Sequence, residues 1–190
     1  MAQLVALIDA NVFYGMTTTD IVMELAKNGL FTARWTNLIH DEWTYHLERN
    51  RPDIAPPLIA RRRRTMDGAV RDPLISGFEP RIAGLMLPDP NDRHVLAAAM
   101  HGQCTHIVTF DVSDFPAAVL APHGIEAIHP DAFLCALLTE DPNQVLACVA
   151  LILGRMKRTM PTFETYLAKL KRAHLGQFAT ALATHMGSLS

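Results

Sequence analysis

The sequence predicts an α/β protein: a largely parallel sheet covered by helices on both faces, followed by a helical extension. Three observations predict it. Short β-branched or apolar runs alternate with helical patterns through the first two-thirds of the chain. The first run, LVALI at 4–8, is apolar at every position, as strands buried on both faces are. From about residue 130 the alternation stops, and only helical patterns remain.

The elements follow in order. After LVALI, Thr19 or Asp20 caps a helix through Ala26, with Gly29 near its stop. FTARW (31–35) is a second strand candidate. Asn37 caps the next helix, through Leu47, and a third covers Ile54 to Val70. AGLML (83–87) is a further strand candidate. Asp89 to Asp92 opens a helix that runs through VLAAAMH and stops at Gly102. HIVTF (106–110) is β-branched and aromatic, and IEAIH (125–129) follows a Pro-His-Gly turn. DAFLCALL, QVLACVALILGRM and FETYLAKLKRAHL are helices separated by Asp141-Pro142 and Pro161. The expected organisation is a domain over 1–135 and a helical C-terminal extension over 136–190, packed on that domain or used for pairing.

A chain of 190 residues, 49% hydrophobic, is most simply one domain with an appendage, and global disorder is excluded. Its net charge of -2 is uninformative, but the distribution is not. Arg61, Arg62, Arg63 and Arg64 form an unbroken basic run. Beyond residue 150, Arg155, Lys157, Arg158, Lys169, Lys171 and Arg172 face only Glu164. Such runs are ordinarily solvated helix surface. Cys104, Cys135 and Cys148 are odd in number and lack metal-type spacing, so buried thiols and a reducing cytosol are expected. MAQLVALIDAN has no basic region and meets an acid at Asp9, unlike a signal peptide. The longest apolar stretch, LACVALIL, falls far short of the roughly 20 residues a membrane span needs. A cytoplasmic protein without membrane contact is expected.

The acids carry the chemistry. In open α/β sheets, ligands collect beyond the carboxyl ends of the strands. Asp9 follows LVALI, Asp89 and Asp92 follow AGLML, and Asp111 and Asp114 follow HIVTF. Glu42, beside Asp41, lies about one turn beyond Asn37 near the same edge. Each acid has a plainer alternative: Asp92 as an N-cap, Asp114 as a turn residue, Asp41 as surface. Together they are more specific. Two like charges about 4 Å apart repel by about 1 kcal/mol in water and about 4 kcal/mol at an effective dielectric near 20. Converging carboxylates need proton uptake or a cation. No basic residue stands among them to neutralise the group internally, although a distant one could fold over, and the metal reading is the more economical. Hard oxygen ligands suit Mg²⁺ or Mn²⁺.

LIDANVF, the helix carrying HDEW, DPNDRHVLAAA and IVTFDVSDF resemble, in that order, the motifs of PIN-domain nucleases. Many of these are toxin ribonucleases of VapBC-type toxin–antitoxin pairs. The resemblance covers roughly residues 3–130 and implies a three-layer α/β/α sandwich that cleaves RNA with one or two Mg²⁺ or Mn²⁺ ions. Carried over by position, Asp9, Asp92 and Asp111 are the implied metal ligands. Glu42 is the acid that orients or deprotonates the attacking water. Asn11 and Thr109 steady the cluster, and Asp89 is a supplementary ligand. Arg61–Arg64 would hold the substrate backbone, since arginine offers a fork of donors to phosphate. The tail after about residue 130 departs from the simplest family members. An antitoxin partner and a homodimer are further implications, and Met156, Met160 and Phe163 are candidates for a partner groove or for core.

Other chemistries fit less well. There is no HExxH, P-loop, GxGxxG or GxSxG, and His40 and His46 lack zinc-motif spacing. A haloacid-dehalogenase-type phosphatase would want a second Asp where Asn11 stands. Two rivals stay open: a non-catalytic RNA- or partner-binding protein on the same fold, and a nuclease directed at DNA.

Overall fold

The computed structural model describes residues 4–156 and 162–187. β1 (Val5–Ile8) is the inner strand on which the sheet is built, and Ala6, Leu7 and Ile8 are fully buried. It pairs in parallel with β2 (Thr32–Arg34) on one side and β3 (His106–Val108) on the other. β4 (Glu126–Ile128) adds in parallel outside β3, giving the order β2-β1-β3-β4. The chain therefore leaves β1 to one side for β2 and crosses to the opposite side for β3. That reversal creates a crevice at the carboxyl ends of β1 and β3.

Two compact units form, and each is interrupted in sequence. The first comprises residues 4–14 and 31–129 and holds the sheet with α1 (Ala10–Tyr14), α3 (Asn37–Asn50), α4 (Pro56–Ala69), α5 (Arg93–His101) and α6 (Ala117–Leu120). α5 lies against β1 and β3, and its residues 94–99 are all buried. α3 is capped by Thr36, whose hydroxyl accepts from the Ile39 amide at 3.1 Å; Asn37 is the first helical residue, not the cap. Between α3 and α4 runs a buried polar chain. Trp43 donates its indole N–H to Nδ1 of His40 (2.9 Å), and Nε2 of His40 reaches Asp67 (2.8 Å), which also accepts from Trp35 (2.9 Å). An indole N–H can only donate. The His40 proton therefore sits on Nε2, and burial lowers the ring's pKa, keeping it neutral.

AGLML does not form a strand. Its first residues end a 3₁₀ turn (Glu79–Gly84), Met86 is 73% exposed, and only Leu87 is buried. Pro88 and Pro90 remove two amide donors just beyond, so the run has neither a ladder to join nor a face to bury. The sheet has four strands, and Asp89 and Asp92 reach its edge from a 3₁₀ turn (Pro90–Asp92) leading into α5.

The second unit joins α2 (Met16–Lys27) to α7 (Pro130–Glu140), α8 (Pro142–Arg155), α9 (Phe163–Arg172) and α10 (Gly176–Gly187). α2 packs on α8 and α9, and α10 on α7 and α9. Leu25, Phe133, Val149, Tyr166, Phe178 and Leu182 are buried in it. Glu24 is buried on α2 with its carboxylate 2.6 Å from Arg155. The break between α9 and α10 falls at His174, whose φ of 59° is left-handed. Met156 and Phe163 are half-buried, and Met160 lies outside the described residues.

Cys104, Cys135 and Cys148 are free thiols, and burial pushes Cys104 up to about 12. Among the described residues no single helix is long and apolar enough to cross a membrane.

The start of α10 is capped from α7. Buried Asp131 accepts from the amides of Gln177 (2.9 Å) and Phe178 (2.8 Å), matching donors that a helix start leaves open. Asp131→Ala should lower unfolding stability by about 1–2 kcal/mol, read as a drop in urea midpoint at constant slope.

Candidate active site

At the carboxyl end of β1, Asp9 still donates its amide to the carbonyl of Val108 (3.1 Å), so its side chain emerges beside β3. Asp9 as a whole is 8% exposed. Its Oδ1 accepts from the Ala10 amide (2.7 Å), and its Oδ2 accepts from the Thr109 hydroxyl (2.7 Å). Thr109 is fully buried one residue past β3. Its oxygen also accepts from Asn11 Nδ2 (2.9 Å) and from the Asp111 amide (3.1 Å). Asn11 completes the net by donating to Asp111 Oδ2 (3.1 Å) and accepting from the Phe110 amide (3.2 Å).

The remaining acids arrive from helices. Asp89 caps the 3₁₀ turn through Asn91 N (2.8 Å). Asp92 makes no capping bond, and its carboxylate lines the cavity. Glu42, on α3, has Oε1 2.8 Å from Nε2 of His94 on α5. Asp9, Asn11, Glu42, Asp92, His94 and Asp111 line one cavity of about 770 Å³, together with aromatic residues that include Trp43. Asp114 sits in a 3₁₀ turn outside this lining, although its charge reaches Asp92. Asp41 is on the surface, paired with Arg63.

Burial raises the proton affinity of Asp9, and the charge of Glu42 adds to it; the Thr109 and Ala10 hydrogen bonds and His94 pull the other way. Asp92 is pushed up to about 7, first by desolvation and then by the charges of Asp9, Asp89 and Asp114, with His94 opposing. The expectation that no basic residue stands among the acids is corrected by His94. It lies two residues past Asp92, and the first turn of α5 carries it to Glu42. Nothing in its sequence spacing distinguished it from the other histidines.

Among the described residues, no three His, Cys, Asp or Glu side chains form a ready cation cage. The donor chemistry nevertheless fits a hard divalent ion. The acidic lining consists of oxygen donors, and two of its carboxylates hold protons more tightly than usual, first because burial desolvates them and then because neighbouring acids repel their charge. A cation would compete for those same oxygens.

The arginine run is divided by its helix. Arg62 donates to the Phe13 carbonyl, and its guanidinium lies 4.8 Å from the centre of the Trp43 ring. Arg63 binds Asp41 and Asn37. Arg61 and Arg64 are exposed, and none of the four lines the cavity.

A PIN domain family model matches residues 5–113, more than half of the chain. The chain belongs to the PIN-domain family. A second model, the VapC50 C-terminal domain, matches residues 130–184. A Mycobacterium tuberculosis protein named "Putative ribonuclease VapC50" is 51% identical over 43 residues, which are 23% of this chain and 25% of that relative. The match thus spans a quarter of the relative's length. No solved structure matches the chain.

The raised Asp92 pKa has a sign that can be tested. A carboxyl whose folded pKa lies above its unfolded value favours the fold while protonated and loses that contribution as pH rises through about 7. In chelator, Asp92→Asn should therefore stabilise the PIN domain above about pH 7, by on the order of 1 kcal/mol or less after solvent screening. The gain should disappear toward about pH 4. Thermal melts across that range measure it.

Proposed function

We propose that this PIN-domain protein is a metal-dependent ribonuclease and the toxin of a toxin–antitoxin pair. One observation carries the reading: Asp9 and Asp111, delivered from β1 and β3 on either side of the crevice, line one cavity with Asp92 and Glu42. The family membership, the second match to a VapC50 C-terminal domain and the relative's name support it.

Asp9, Asp92 and Asp111 would hold one or two Mg²⁺ or Mn²⁺ ions. When bound, such an ion supplies Lewis acidity that lowers the pKa of water and offsets phosphoryl charge. The chain's own groups do the rest. The Thr109 hydroxyl and the Ala10 amide fix both oxygens of Asp9. Asn11 holds Asp111 from across the crevice. Glu42 accepts the proton of the attacking water as its oxygen bonds to phosphorus. The bond from phosphorus to the 3′ oxygen breaks, and that oxygen takes a proton from solvent water, leaving a 5′-phosphate and a 3′-hydroxyl. Arg61 and Arg64 are the arginines of the run left exposed to meet the backbone of the RNA, and binding through them would weaken with salt. An antitoxin would cover the site or its approach, and pairing of two copies is compatible with this role.

The test is cleavage of a labelled single-stranded RNA, with single-stranded DNA in parallel. With Mn²⁺ the full chain should cut RNA, and chelator or Asp9→Asn should abolish the reaction. Glu42→Gln should lower kcat by about 10²–10⁴-fold, the usual worth of a general base. Cleavage that survives chelator would sink the reading, and preference for DNA would redirect it.

A further inference from the structure

His94 has no place in the chemistry so far, yet it is 8% exposed in the wall of the cavity. Its Nε2 lies 2.8 Å from Oε1 of Glu42, while its Nδ1 is buried with no hydrogen-bond partner among the described residues. An ionised carboxylate can only accept, so the proton of this bond sits on Nε2. Nδ1 is then unmatched whether or not it carries a second proton. A buried ring nitrogen left in that condition is unfavourable, and among the described residues the bond to Glu42 is the ring's one hydrogen bond.

Seen from Glu42, the same bond matters more. The Glu42 side chain is 39% exposed and long, so it would sample many rotamers at a helix surface. Among the described residues its Oε1 is tied by His94 alone, and Oε2 has no hydrogen bond. A proton acceptor must be held within reach of its water for the reaction to gain from proximity. We infer that His94 is the positioning residue of Glu42, donating Nε2–H to Oε1 so that Oε2 is left to take the proton from water. This rests on the reading of Glu42 as the base.

The full chain is tested as wild type, His94→Leu, His94→Gln, Glu42→Gln and the Glu42→Gln/His94→Leu double variant. Leucine keeps the bulk and removes the donor, whereas the glutamine amide falls near the position of Nε2. Expected for His94→Leu is a kcat lowered by roughly 10²-fold, at the lower end for a general base. KM for RNA and Mn²⁺ affinity by calorimetry should be unchanged, and His94→Gln should recover most of the rate. The double variant should be no slower than Glu42→Gln alone. Equal losses from His94→Leu on the wild-type and Glu42→Gln backgrounds would overturn the inference. So would a fall in Mn²⁺ affinity that His94→Gln does not restore, since His94 would then act on the ligand acids by charge.

Crystal structures supply a readout independent of activity. The Glu42 carboxylate should keep one orientation in wild type and His94→Gln and lose it in His94→Leu; an unchanged orientation in His94→Leu rejects the inference. If wild type fails to cleave, or Glu42→Gln cleaves at full rate, the ribonuclease or base reading falls, and these structures still decide the positioning. If His94→Leu does not fold, His94→Asn, whose amide falls short of Glu42, takes its place.

Discussion

The hydroxyl of Thr109 is the contact on which the acidic crevice depends. It donates to Asp9 on one strand end and accepts from Asn11 and the Asp111 amide around the other. Two acids from residues about 100 apart in sequence are thereby held at the seam between β1 and β3. The parallel register makes this possible, because Ile8 pairs with Val108 and the next residue of each strand is Asp9 and Thr109. A slip of one residue would turn the Asp9 or the Thr109 side chain to the other face.

Holding acids together has an electrostatic cost, and the PIN domain meets it only in part. Hydrogen bonds and His94 lower the proton affinity of Asp9, but burial outweighs them. Asp92, with no capping bond at the helix start, is pushed up to about 7, first by desolvation and then by the neighbouring acids. A site tuned for structure alone would place a lysine or arginine here. Arg62 and Arg63 are instead committed to Phe13, Trp43, Asp41 and Asn37. The uncompensated charge is what makes a cation the natural complement.

Much of this was legible in the sequence because strand ends and acids follow short-range rules. LVALI marked β1 through continuous apolar content and HIVTF marked β3 through β-branched and aromatic residues, and the acids just beyond them fell where parallel sheets collect ligands. AGLML misled because apolar composition alone does not supply a neighbouring strand, and Pro88 and Pro90 were the counter-signal. His94 could not be singled out, since its meeting with Glu42 depends on how α3 and α5 pack. The arginine run looked like a single patch because four consecutive residues point in four directions around a helix. The partnership of α2 with α8 and α9 was equally hidden: its apolar stripe says that it is buried, not by what.

That partnership bears on how the chain comes to be made. α2 emerges from the ribosome early, but the helices that cover Ile21, Val22 and Leu25 are synthesised more than a hundred residues later. The helical unit cannot close during elongation until nearly the whole polypeptide is available, so its first helix waits with an apolar side uncovered. Contacts of such sequence separation also slow folding after release. A shortened product, ending after the sheet is complete, would carry α2 as a sticky remnant and be a ready client for chaperones and proteases.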